Sequence, residues 1–178
     1  MRPDAASFSW ERTIVAEQKA TKPTSYEEAL RVIGRQLDAE PAYHVRILEM
    51  EDGFTVRYQP TLQQSDERTM HFGWDRLNDL VVFNTAGRGL ARKRGRYQGM
   101  WAEFPNGHQG FFRTLGARMD RDQASSLAVD EVPEGVQISY VRPDPENPLR
   151  SQKFHTVLHE PEIRRMIEAA QQQRSGST

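Results

Sequence analysis

The sequence predicts an α+β protein of two tandem α-β-β-β-α units packed about a pseudo-twofold axis, with antiparallel sheet and helices on one face. Three observations predict it. The chain matches itself at an offset of 82 residues without a gap. Apolar residues keep helical and strand periods at equivalent places in the two halves. Turns containing glycine separate the strands at matching positions.

At that offset LRVIGRQLDAEPAYHVRILEMEDGFTVRY lies on FRTLGARMDRDQASSLAVDEVPEGVQISY. Between positions 30 and 72, nine of 43 aligned pairs are identical: Arg31/Arg113, Gly34/Gly116, Asp38/Asp120, Ala42/Ala124, Glu49/Glu131, Gly53/Gly135, Tyr58/Tyr140, Arg68/Arg150 and Phe72/Phe154. Ordinary composition gives about three. The physical pattern is the stronger argument.

Each unit opens on a helix. Leu30, Ile33 and Leu37 recur as Phe112, Leu115 and Met119, a stripe at i, i+3, i+7. Ser25 with Glu28 has capping-box spacing, and Asn106 with Gln109 repeats it. Two strands follow. Val45 and Ile47 recur as Leu127 and Val129; Phe54, Val56 and Tyr58 recur as Val136, Ile138 and Tyr140. Both sets have the period of two expected of half-buried strands. Gly53 and Gly135 stand in the turns between them. A third strand is expected around Met70, Phe72 and Trp74, and again around Phe154, Thr156 and Leu158. A last helix closes each unit. In the second, Pro161 stands at its start and Ile163, Met166, Ile167 and Ala170 share a face. In the first, Leu80-Val81-Val82-Phe83 reads equally as a strand, and its twin argues for a helix over 75–86 ended by Gly87.

The resulting division is a mobile arm over 1–23, unit one over 24–87, a basic connector over 88–105, unit two over 106–173 and a disordered tail over 174–178. A unit of roughly 65 residues buries only about 60% of its unfolded surface, so the two gain by packing together. Neither core then needs a second chain, which leaves monomer or homodimer open.

Composition narrows the function classes. There are no cysteines, which removes disulfides, thiol nucleophiles and thiolate zinc sites. Mean hydropathy is −0.77, and no stretch approaches the ~18–20 apolar residues of a membrane span. The charged N-terminus lacks the apolar core of a signal peptide, so a cytoplasmic location and no membrane partner are expected. Net charge is −1, unevenly spread: residues 24–87 carry −5 and residues 88–118 carry +6.

The basic connector GRGLARKRGRYQGMW is the main candidate site. Arg88, Arg92, Lys93, Arg94 and Arg96 fall within nine residues, followed by Tyr97 and Trp101. Guanidinium forks match phosphate oxygens and an adjacent ring offers a stacking face for a base. These seven residues point to a polyanion, nucleic acid first; the plainer reading is a solvated link between acidic flanks. Phe8 and Trp10, in the otherwise polar arm, are candidates for contact with a protein partner or with the protein's own body. An adaptor using sheet edges or this arm is the alternative function, and a small hydrolase or metal-dependent enzyme a distant one.

Other constellations are weaker. His155, His159, Glu160 and Glu162 crowd a strand-to-helix junction, but Pro161 starts the helix after His159, so the two histidines do not share a helical face. Glu160 and Glu162 suit the helix N-terminus instead. His44 and His71 stand alone. The carboxylates Glu49, Glu51, Asp52, Asp130, Glu131 and Glu134 cluster at hairpin turns, where solvation is their ordinary role. No catalytic residue, metal site or cofactor is expected; GRGLARKRG lacks the strand and spacing of a phosphate-binding loop. The α-β-β-β-α order is also that of double-stranded-RNA-binding domains. Those place lysines at the start of the last helix, where this sequence has WDRLND and HEPEIRR, so the comparison stops at topology.

Overall fold

The alternation read along the sequence becomes an alternation of burial. A computed structural model describes residues 25–39, 41–63, 66–85 and 107–176. The elements are α1 (Tyr26–Leu37), β1 (Tyr43–Met50), β2 (Gly53–Gln59), β3 (Arg68–Gly73), α2 (Trp74–Thr85), α3 (Gly107–Arg121), β4 (Ser125–Val132), β5 (Gly135–Pro143), β6 (Ser151–His159) and α4 (Glu160–Ser175). The six strands form one antiparallel sheet, ordered β3-β2-β1-β4-β5-β6. Two hairpin-linked meanders thus meet at β1 and β4, through Arg46↔Asp130, Ile47↔Val129 and Leu48↔Ala128.

Val45, Ile47, Phe54, Val56, Leu127, Val129, Val136 and Ile138 are buried on one sheet face against Leu30, Ile33, Phe112, Leu115 and Ile163 of the helices. The expected stripes and alternations therefore form the core. Gly53 and Gly135 enter β2 and β5 at φ 156° and 149°, where a Cβ would lie 2.1 Å from the carbonyl oxygens of Phe72 and Leu158. Only glycine fits there.

Helices α1 and α3 run antiparallel at close range. A Cβ on Gly34 would meet the Gln109 Cα at 2.7 Å, and one on Gly116 the Tyr26 carbonyl oxygen at 2.5 Å. Each helix also caps the other. The Asp120 carboxylate accepts from the Tyr26 and Glu27 amides at 2.7 and 2.9 Å and from the Ser25 hydroxyl at 2.9 Å. Asp38 accepts from the His108 and Gln109 amides, both at 3.0 Å. Free N–H groups at a helix start need acceptors, and here a carboxylate some 70 to 95 residues away supplies them.

The central strands carry matched bulges. His44 and Ser126 have φ of 52° and 56°, and the register slips at both points. The amide after each bulge leaves the ladder and donates to a carboxylate: Val45 to Glu131 at 3.0 Å, Leu127 to Glu49 at 2.9 Å. These two turn acids are thus structural acceptors.

Three expectations change at their edges. Trp74 opens α2 instead of extending the third strand: its ring packs edge-on against Phe54 at 5.3 Å and its indole N–H donates to the Glu51 carbonyl at 2.8 Å. The capping box at Ser25 stays open, because Glu28 pairs with Arg31 while the Ser25 hydroxyl alone accepts from the Glu28 amide. Helix α4 runs to Ser175, beyond residue 173, with the Gly176 amide still bonded to the Gln172 carbonyl at 3.0 Å. The segment Leu80–Phe83 is helical, the reading its twin favoured.

Candidate functional site on the open sheet face

Helices bury one face of the sheet; the outward side chains of the same strands remain. Cross-strand register arranges them in rows. One row runs His71, Thr55, Leu48, Ala128, Ser139, His155. The next runs Thr69, Arg57, Arg46, Asp130, Gln137, Val157. Sheet twist hollows the middle of this face into a concavity of about 490 Å3, over β1 and β4 where the meanders join. Leu48, Met50, Ala128 and Thr55 give it an apolar floor, with Arg46, Arg57, Asp130 and Gln137 at one side. Leu48 and Met50 are 49% and 44% exposed, and no aromatic residue stands in either row.

The charges are unequal. Arg46 and Arg57 are direct cross-strand partners, an arrangement that is unfavourable for like charges. Arg46 donates to Asp130 at 3.0 Å. Among the described residues Arg57 has no carboxylate partner, so one guanidinium of the pair is uncompensated. At the end of the first row His71 stands 3.2 Å from Asp52 and 3.5 Å from the Thr55 hydroxyl. All three groups reach solvent, so the trio has the geometry of surface hydrogen bonds.

Shifted ionisation lies on the other side of the sheet. Burial, then the hydrogen bond to Glu49, pushes the Tyr26 phenol far above its ordinary range. Burial and the bond to Asp122 raise Tyr140. Burial and nearby Arg113 lower Arg174. None of these groups reaches the concavity. A second hollow of about 290 Å3 separates α3 from α4, lined by Thr114, Ala117, Arg118, Arg121, Met166 and Ala170. On the helix side, Arg118 and Arg142 lie over the Phe154 ring at 5.2 and 4.8 Å.

The residues singled out in the sequence are dispersed. Arg88, Arg92, Lys93, Arg94, Arg96, Tyr97 and Trp101 lie outside the described residues, as do Phe8 and Trp10. His155 points from β6 on the open face, while His159 precedes α4 and gives its amide to Glu162 at 2.9 Å. No group of three or more His, Asp or Glu side chains among the described residues is placed to hold a metal ion. No helix of the described residues is long and apolar enough to cross a membrane. Strands β3 and β6 bound the sheet, each with one partner among the described residues.

The concavity went unread in the sequence, although a signal was there. Along β1 the alternation inverts after Ile47: Leu48 and Met50 face out while Glu49 faces in. A carboxylate in a core position between two outward apolar residues marks both a buried acceptor and an exposed apolar strip. Comparison with protein-family models, with curated proteins and with solved structures finds no match to this chain.

Proposed function

We propose that this chain is a binding protein, built from two copies of one α-β-β-β-α unit about a pseudo-twofold axis, which docks its ligand on the open sheet face where the copies meet. The concavity over β1 and β4 carries this reading, since it joins an apolar floor to a guanidinium, that of Arg57, with no carboxylate partner among the described residues. Its size suits a bound ligand. Its acid, Asp130, is taken up by Arg46, which favours binding over proton transfer.

The register supports the duplication. The offset of 82 carries Ile47 onto Val129, and those two residues pair with each other. It exchanges the flanking pairs, as an axis through that point requires. The same offset relates the capping acids Asp38 and Asp120, the bulges His44 and Ser126, the acceptors Glu49 and Glu131, and the contact glycines Gly34 and Gly116. The junction is a surface that neither half possesses alone.

A small-molecule fragment screen read by backbone amide shifts tests the docking surface. Hits should cluster on the amides of Leu48, Thr55, Ala128 and Ser139. Hits confined to the hollow between α3 and α4 would refute the assignment.

The connector carries a second reading, docking of a polyanion, nucleic acid first. Its motivation is the +6 charge of residues 88–118. Arg88, Arg92, Lys93, Arg94 and Arg96 would meet phosphates while Tyr97 or Trp101 stacks on a base. Fluorescence anisotropy with labelled single- and double-stranded DNA and RNA tests it. Binding should weaken steeply with salt, and Arg92→Ala/Lys93→Ala/Arg94→Ala/Arg96→Ala should flatten that slope by roughly one unit per lost contact. An unchanged slope would remove the connector from the site.

A further inference from the structure

We infer that the open-face concavity takes a single-chain amphiphile with an anionic carboxylate head, the head at Arg57 and Arg46 and the aliphatic chain along Leu48 and Met50. This rests on the open face being the docking surface, and adds the ligand's chemistry. Arg46, Leu48 and Met50 are alternate residues of β1 and share its outward face, so cation and apolar strip lie in one line of about 13 Å. Ala128 flanks Leu48 on β4 and Thr55 flanks it on β2, which keeps the line's sides small.

Charge then fixes the direction. The Arg46–Asp130 pair is complete in itself, whereas Arg57 faces Arg46 across the ladder with no carboxylate partner among the described residues. A carboxylate between the two guanidiniums relieves their repulsion and gains charge-assisted hydrogen bonds. Asp130 lies on the far side of Arg46 in the same row, so it disfavours a head group displaced towards β4. The surrounding ionisable groups are Asp52 and His71 beyond the apolar end, Lys153 and His155 on β6, and Glu67, two residues from Thr69, the β3 partner of Arg57. Among the described residues none of these acids pairs with Arg57.

Size favours a small ligand over a protein segment. Stable protein interfaces bury about 800 Å2 per partner around an apolar centre. Here the exposed large apolar residues of the face are Leu48 and Met50 alone among the described residues. A volume of about 490 Å3 matches one small molecule.

The test uses the full chain and decanoate below its micelle-forming concentration, with decan-1-ol as the uncharged control, followed by amide shifts and titration calorimetry. One saturable decanoate site is expected at the Leu48, Met50, Thr55 and Arg57 amides, with decan-1-ol about tenfold weaker. Arg57→Gln should weaken decanoate about tenfold, equivalent to about 1.4 kcal/mol, and leave decan-1-ol unchanged. Leu48→Asp should abolish both; a retained amide spectrum would show that the fold persists. Equal binding of decanoate and decan-1-ol at these amides would overturn the anionic class while leaving the docking surface in place. Shifts only elsewhere would overturn both. An acidic amphipathic peptide displacing decanoate with far higher affinity, or binding to phosphatidylglycerol vesicles without binding to free decanoate, would also overturn the proposal.

Discussion

Removing the Asp120 carboxylate tests whether α1 and α3 hold together through reciprocal capping. In Asp120→Ala, the Tyr26 and Glu27 amides and the Ser25 hydroxyl lose an acceptor now 2.7 to 2.9 Å away. Loss of a helix cap costs about 1 kcal/mol, and a hydrogen bond to a charged group contributes about 1.5–3 kcal/mol. The sites are half-buried, so water replaces part of this, and Ser25 still caps the Glu28 amide. A net loss of about 2–4 kcal/mol follows. For a protein of this size that corresponds to a fall in Tm of roughly 5–15 °C. Asp38→Ala removes two backbone bonds and the contact with the fully buried His108 ring, and should cost about as much. The two caps sit at opposite ends of α1, about 18 Å apart, so the double variant should be additive within about 0.5 kcal/mol. Urea unfolding followed by circular dichroism measures all three. A loss below about 0.5 kcal/mol for Asp120→Ala would refute the reasoning, because the cap would then be replaceable by water.

Other expectations follow from packing and ionisation. Gly116→Ala places a methyl group 2.5 Å from the Tyr26 carbonyl oxygen; overpacking of about 1–3 kcal/mol should exceed the ~1 kcal/mol gained in helix propensity. A more stable Gly116→Ala variant in thermal melts would mean that α1 and α3 separate freely. The raised phenols of Tyr26 and Tyr140 set an alkaline limit. Their folded values exceed the unfolded one, so their contribution is complete below about pH 10 and is lost as pH rises further. Urea titrations across that range should show stability falling, with the tyrosinate absorbance of two of the five tyrosines appearing only on unfolding; a flat profile would contradict the burial of both hydroxyls.

Much of the fold was legible because it is written in local periods. The stripe Leu30, Ile33, Leu37 and the alternation Val45, Ile47 need only neighbours a few residues away to declare a helix and a strand. Trp74 misled because a bulky aromatic continues a period of two as readily as it opens a helix. What decides it is Phe54 and the Glu51 carbonyl, far away in sequence. The site was less legible for the same reason. Leu48 and Met50 read as a flaw in the pattern of β1 until the sheet shows that the described helices pack on its other face.

The sequence by itself determined the element types, the turns at Gly53 and Gly135, and the positions that recur at an offset of 82. It singled out Asp38, Asp120, Glu49 and Glu131 as identical pairs without indicating any partner. Tertiary structure alone decided that β1 joins β4 into one sheet, that each capping acid serves the opposite helix, and that Arg46 and Arg57 face each other beside an apolar strip. Periodicity reports which side of an element avoids water. It carries no record of which distant element meets that side, because that choice depends on the free energy of the assembled sheet and not on any single segment.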